Sequence, residues 1–315
     1  MEENQLLIAV PTKDHPEHMR YFLSELLPDT KKHNVDICIY DSSSTEITKQ
    51  IVDGWQARGY SNLFYKKLSG TMKFWEKLKY IFVQEKYEYL WLCGDGFVPC
   101  LEECIGSLEE EMGKGRDLIG FTSRSDAELY SEVTEPLDLM EKYWNESTCW
   151  APWIVGVRFF TKKLWGGVYR RGYKNFAQVG AIFEELAKGE FDAVIIHSTF
   201  CKTNPFKRAS TWIMDGKVFE VMEDYMDTVE KLPAVYGPVK WICAKPIFES
   251  YINTGILFLW RVDGNLTLPI VIKHRRLFQR YKRISFWKAL VIAFCPKKAA
   301  NLLCVMNGSK ATMYK

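Results

Sequence analysis

Short apolar runs alternate along this chain with stretches whose apolar residues recur every three or four positions. LLIAVP (6–11) is an apolar run closed by proline and predicts a buried strand. From His15 to His33, residues Met19, Phe22, Leu23 and Leu26 fall at i, i+3, i+4 and i+7 and predict a helix. VDICIYD (35–41) predicts a second strand, and Ser43 and Glu46 are spaced as a capping box ahead of the next helix. LFYKK (63–67) predicts a third strand, and Phe74, Leu78, Ile81 and Phe82 mark a helical stripe. YEYLWLC (87–93) predicts the fourth strand. Pro99 is expected to open a helix whose shared face is Leu101, Ile105, Leu108 and Met112. DLIGFT (117–122) predicts a fifth strand. Beyond 125 the pattern loosens. WIVGVRFF (153–160) and AVII (193–196) predict strands, and Phe176, Val179, Phe183 and Leu186 a helix. HSTFCKTNPFKRASTW (197–212) reads as a polar, basic loop, and 245–262 has no period that places it.

Strands alternating with helices in this way predict βαβ units and a mainly parallel sheet. Ligands of such sheets bind beyond the carboxyl ends of the strands. Three of those ends carry chemically useful residues: Thr12, Lys13 and Asp14 after the first strand, Asp41 to Ser44 after the second, and Asp95, held between Gly94 and Gly96, after the fourth. Asp and Ser also serve as turn formers and caps, so no single end is decisive. Their convergence is the main functional signal.

Composition narrows the picture. With 315 residues, 47% of them hydrophobic, the chain has enough apolar material for a sizeable core. Its nine cysteines are irregularly spaced without a C-x-x-C, which reads as reduced thiols in a cytosolic compartment. The start, MEENQLLIAVP, lacks the form of a signal peptide. No G-x-G-x-x-G follows the first strand, and there is no P-loop, no G-x-S-x-G elbow and no H-x-x-x-H. Dinucleotide binding, P-loop chemistry, serine hydrolysis and a histidine-based metal site all lack support. PTKDHPEHM contains no glycine, which ranks nucleotidyl transfer last. The net charge of +3 is unevenly distributed. Residues 265–315 hold eleven of the 42 Lys and Arg and no Asp or Glu, leaving 1–264 at about −8. Such segregation points to a tail that meets something anionic.

Three motifs in register then carry a resemblance. IAVPTKDHPEHMRYFLSEL resembles the opening of the family-2 glycosyltransferases with the GT-A fold. ICIYDSSSTEIT is similar to their second strand. YEYLWLCGDG resembles the strand that ends in their acidic metal motif. The match covers roughly residues 5–100 and fits only loosely to about 200. It implies an α/β GT-A domain over 1–262, with a Rossmann-like sheet flanked by helices, and a helical, basic extension over 263–315. It also implies inverting transfer of a sugar from a nucleotide diphosphate, UDP by expectation, to a growing polysaccharide or lipid-linked oligosaccharide. By the same resemblance, Pro11, Thr12, Asp14, Asp41, Ser43 and Asp95 would hold the donor nucleotide, with Asp41 near the base.

The sequence departs from the family where two or three acids are usual, because here Asp95 stands alone. Mn²⁺ or Mg²⁺ held by Asp95 and diphosphate oxygens is one expectation. Neutralisation of the leaving group by Lys73, Lys77, Lys207 or Arg208 is the other. A degenerate nucleotide-binding or scaffold protein is the alternative to an enzyme. The acceptor's proton needs a base. The resemblance puts it at the Glu184–Glu185 pair, with Glu185 expected off the apolar face on the side of Gln178, and Asp126 and Asp215 as fallbacks. His197 is placed to face the site. Trp150 and Trp153 are candidates to stack on the acceptor. In the tail, Arg275 to Phe294 is expected to form one basic amphipathic helix, with Leu277, Tyr281, Ile284 and Val291 on one side; its apolar stretch FWKALVIAF is interrupted by a lysine and too short to span a bilayer, and the segment suits an anionic membrane surface. The expected location is cytoplasmic, peripheral on the inner face of the membrane. Nucleic acid is not an expected partner.

Overall fold

The computed structural model describes residues 5–82, 86–122, 130–144, 153–156, 172–206, 216–281 and 284–306. They fall in two compact units, one of residues 1–206 and 231–240, the other of 207–230 and 241–315. The second unit is thus larger than the extension expected over 263–315.

Among the described residues, the first unit is built on an eight-stranded sheet. Strands β1 (Leu6–Thr12), β2 (Asp36–Asp41), β3 (Leu63–Lys67) and β4 (Tyr89–Leu92) are parallel, with β1 central, flanked by β2 and β4. β1 is buried along its whole length, as a central strand covered on both faces requires. β5 (Phe97–Pro99) leaves the main sheet. β6 (Leu118–Thr122), β7 (Tyr130–Val133), β8 (Trp153–Gly156) and β9 (Ala193–His197) complete the order β3-β2-β1-β4-β8-β6-β9-β7. β8 runs antiparallel between β4 and β6, and β7 runs antiparallel to β9. β10 (Cys201–Thr203) pairs antiparallel with β5 as a separate ribbon.

Helix α1 (Pro16–His33) begins on proline, whose fixed φ suits a first helical position. It stops at Asn34, a left-handed cap whose N–H reaches Thr30. Met19, Phe22, Leu23 and Leu26 are buried against the strands, each contributing roughly 1.5–3 kcal/mol. α2 (Ile47–Gln56), α3 (Phe74–Ile81), α4 (Leu101–Gly113), α5 (Pro136–Tyr143) and α6 (Ala177–Leu186) follow in this unit. The second unit is helical among its described residues: α7 (Lys217–Lys231), α8 (Val239–Tyr251), α9 (Thr254–Asp263), α10 (Leu268–Lys273), α11 (Arg275–Arg280), α12 (Phe286–Phe294) and α13 (Lys297–Met306). No described helix is long and apolar enough to cross a membrane.

Several expectations need correction. Pro99 closes β5, and α4 starts at Leu101. Ser43 does not cap α2. Its hydroxyl is spent on Asp41 and on the Asp14 N–H, and the N-cap residue of α2 is Glu46. The loop expected over 197–212 contains β10, and 245–262 folds as parts of α8 and α9. The tail is not one helix from Arg275 to Phe294. It breaks after Arg280, and Ser285 starts a new helix by accepting the Lys288 N–H. Leu277 and Ile284 are buried, whereas Val291 is exposed, so the expected stripe does not exist.

Candidate active site

The carboxyl ends of β1, β2 and β4 lie side by side, and their polar residues form one hydrogen-bonded network. Thr12, the last residue of β1, donates its hydroxyl to Asp95 Oδ2 at 2.7 Å. His15 Nδ1 lies 3.0 Å from the same oxygen. The Thr12 carbonyl accepts from the Ser42 N–H at 3.2 Å and from Lys77 Nζ at 3.0 Å. Asp14 adopts a left-handed φ of 54°, which Asp tolerates better than most residues. This turns its N–H onto Ser43 Oγ (2.7 Å) and its carboxylate onto the Ser44 N–H (2.8 Å). The Ser44 N–H holds the Asp14 carboxyl below the usual carboxylate range.

Asp41 is the hub. Fully buried, it accepts the Ser43 N–H at 2.7 Å and hydroxyl at 2.5 Å on one oxygen, and the Tyr65 hydroxyl at 2.8 Å on the other. Lys67 Nζ stands 3.9 Å away. Burial, followed by the bond to Asp41, pushes the Tyr65 phenol above its ordinary value. Each charge-assisted bond of this kind contributes roughly 1.5–3 kcal/mol, and losing the acceptor leaves buried donors unpaired.

Asp95 is set at the head of a turn that the β5–β10 ribbon fixes. Buried Asn204, just past β10, donates to the Asp95 carbonyl at 3.2 Å and the His18 carbonyl at 3.0 Å. Its own N–H reaches the Gly96 carbonyl. A Cβ at Gly94 would meet nothing within 4 Å, and its φ is not positive. Neither packing nor backbone conformation asks for glycine there, which leaves open space beside the lone acid for a ligand to approach the main chain.

Lys77 projects from α3, which packs on β1, and is buried. Burial, and then the charge of Lys13, bring its pKa down to about 8 against the opposing pull of Asp41, Asp95 and Asp14. An ammonium held on the Thr12 carbonyl, in the field of Asp41, Asp95 and Asp14, is a ready counter-charge for an anion. Lys73, by contrast, is exposed. It precedes α3, its N–H bonded to Glu76, with its ammonium 4.9 Å from the Trp75 ring centroid.

The pair Glu184 and Glu185 lies on α6, which packs against α3. Glu184 is buried and accepts the Tyr173 hydroxyl at 2.8 Å. Tyr173 comes that close because Gly180 has no side chain: a Cβ there would sit 2.4 Å from its ring. Glu185 is partly exposed and paired with Lys188 at 2.6 Å. Gln178, expected on the same open side, is buried. His197 ends β9, half-buried. Lys207, Arg208, Asp126, Trp150 and Asp215 lie outside the described residues. Trp153 is described only as backbone in β8. Sequence reasoning missed a role for His15, His18 and Asn204, whose contacts with the Asp95 turn span 80 residues or more and leave no local signal.

The described residues do not build a metal centre on their own. Asp95 Oδ2 is engaged by both Thr12 and His15, and no group of three or more His, Cys, Asp or Glu among the described residues is arranged to hold an ion.

Comparison with known proteins agrees with this architecture. No protein-family model matches the chain, and no curated protein matches it in sequence. Among solved structures it is similar to S. aureus TarS, with a TM-score of 0.51 and 11% identity over 92% of this chain and 55% of that one. This chain therefore spans about half the length of that TarS chain. A TarS 1–349 structure matches with a TM-score of 0.50 and 12% identity over 92% of this chain and 90% of that chain. Its complex with UDP-GlcNAc matches with a TM-score of 0.50 and 12% identity over 97% and 92%. The fold is GT-A. At such identities the likeness speaks for the fold alone, and the chemistry has to be argued from the site.

Proposed function

We propose that this chain is a glycosyltransferase that takes its sugar from a nucleotide-diphosphate donor, UDP-linked in our reading, and transfers it with inversion. The observation that carries the reading is the meeting of two hydrogen-bonded clusters, Thr12 with Asp95 and Asp14 with Ser43 and Asp41, tied by the Ser42 N–H on the Thr12 carbonyl, at three adjacent strand ends of a GT-A sheet. The UDP-GlcNAc complex of TarS supports the choice of donor. Family 2 remains the assignment suggested by the motif order around Pro11, Asp41 and Asp95.

In this reading the nucleotide lies across the β1 and β2 ends. Pro11 and Thr12 lend main chain and Asp14 lends a polar edge, held in place by Ser43. Asp41 fixes Ser43 and Tyr65 rather than reaching out, since both of its oxygens are engaged inside the protein. The diphosphate lies over the open backbone at Gly94. Lys77 neutralises it as it leaves, with the exposed Lys73 as a further cation. Mn²⁺ or Mg²⁺, if bound, would be held by Asp95 and the diphosphate and would supply part of this counter-charge. The acceptor hydroxyl attacks the anomeric carbon from the face opposite the leaving group. The C–O bond to the diphosphate breaks, UDP departs with the electron pair, and a carboxylate takes the acceptor's proton. Glu185 is assigned as that base because it is the more exposed of the pair, with Glu184 held on Tyr173 behind it. A growing polysaccharide or lipid-linked oligosaccharide is the proposed acceptor.

Calorimetric titration of the purified chain with UDP tests the reading. Binding is expected, together with cleavage of a UDP-sugar that Glu185→Gln abolishes while UDP still binds. Binding without turnover of any UDP-sugar would support the scaffold alternative.

A further inference from the structure

Helix α12 presents two unlike sides. Ala289, Ile292 and Ala293 are buried, as α12 packs against α9, α10 and α11. The opposite side carries Trp287, Val291 and Phe294 at i, i+4 and i+7, which are 74%, 71% and 72% exposed. Three large apolar residues on one arc, all open to water, are not a scatter of single surface hydrophobes. The corner that follows is rigidly set. The Arg261 guanidinium, on α9, donates to the Cys295 carbonyl at 2.7 Å, so α13 leaves at a fixed point. On α13, Lys298 and Leu302 fall at i and i+4 and are both exposed, whereas Ala300 and Cys304 are buried. Lys288 is exposed at the edge of the α12 face. No Asp or Glu occurs anywhere after Asp263.

We propose that the Trp287–Val291–Phe294 face of α12, flanked by Lys288 and Lys298, seats this protein on an anionic lipid surface. The charge argues for that occupant. An apolar arc flanked by Lys288 and Lys298, on a stretch of chain without one acid after Asp263, complements phosphatidylglycerol-type headgroups over acyl chains. The nine residues of α12 are far too few to span a bilayer, so the helix lies in the interface plane. Trp287 and Phe294 insert at headgroup depth, where an aromatic body meets apolar chains, and the lysines stay at the phosphate level. The inference replaces the Leu277–Ile284 stripe, which is buried, and does not depend on the nucleotide-sugar reading.

The test is co-sedimentation of the full chain with vesicles containing roughly a third phosphatidylglycerol, against vesicles of phosphatidylcholine alone. Binding to the anionic vesicles is expected. It should fall about tenfold in Trp287→Glu/Phe294→Glu and should fall with added salt and in Lys288→Glu/Lys298→Glu. Circular dichroism and UDP titration on the same samples separate a folding defect from a lost surface. Should the double glutamate variant misfold, Trp287→Ser serves in its place. Equal binding by wild type and face variants overturns the proposal, as does equal binding to both vesicle types. So does a concentration-dependent dimer, seen by sedimentation velocity without vesicle binding and lost in the face variants, which would assign the face to a second copy. UDP binding retained while vesicle binding fails would overturn the membrane seat alone.

Discussion

At the strand ends of the first unit, Asp41, Asp95 and Lys77 are charged groups withdrawn from water. On α12 of the second unit, Trp287, Val291 and Phe294 are apolar groups held out in it. Both reverse the ordinary partition, and both carry a cost that folding alone does not repay. The difference lies in what each reversal prepares. The strand ends satisfy their charges within the protein, so a ligand meets a preformed set of donors and acceptors. The helix face satisfies nothing, so it waits for an external apolar phase.

Substitutions that remove each feature should therefore differ sharply. Asp41→Ala leaves the Ser43 N–H, its hydroxyl and the Tyr65 hydroxyl without their buried acceptor. It is expected to cost about 3 kcal/mol in urea unfolding. Trp287→Ser, at an exposed position, is expected to stay within about 0.5 kcal/mol. Similar losses from the two would break the comparison.

Lys77→Met takes a buried cation away without opening a large cavity. UDP binding is expected to weaken about tenfold, while stability holds or rises, because the desolvated ammonium is no longer required. Loss of stability with unchanged UDP affinity would make Lys77 a structural tie to the Thr12 carbonyl alone.

The same lysine gives a pH signature. Burial brings its pKa to about 8, below its ordinary 10.5, so the ammonium is lost as pH rises through about 8. UDP affinity should fall over that range, and Lys77→Arg, whose charge does not titrate, should flatten the profile. Above about 8 the native chain binds fewer protons than the unfolded one. Lys77 therefore makes stability rise with pH from there toward 10.5, opposite to its effect on binding.

The smallest effects concern α6. Glu184→Gln is expected to cost about 1 kcal/mol through its bond to Tyr173, and Glu185→Gln close to nothing, since its pair with Lys188 is partly exposed. Thermal unfolding of the two variants separates the buried acid from the reachable one.

Much of the first unit was legible because β1, β2, β4, β6 and β9 are short, largely apolar runs, as buried strands require, while β3 showed as the short run LFYKK. β5, β7 and β10 were not legible. FVP, YSEV and CKT are three or four residues long, and partners far along the chain make them strands. The polar strand ends were legible as types, but not as a network. Nothing local tells that His15 and Thr12 meet on Asp95, or that Asn204 holds the Asp95 turn. In the tail, one continuous helix gave a plausible stripe. The break after Arg280 and the Ser285 cap rotate the later residues, so Ile284 goes inward and Val291 outward.

The central claim is that the strand-end network is a nucleotide-diphosphate site with its own counter-charge. Calorimetric titration of UDP into the wild-type chain and into Lys77→Met, each with and without Mn²⁺, tests it most directly. The account predicts binding without metal that Lys77→Met weakens. Absence of binding by UDP and by every other pyrimidine nucleoside diphosphate, with or without Mn²⁺, would contradict it.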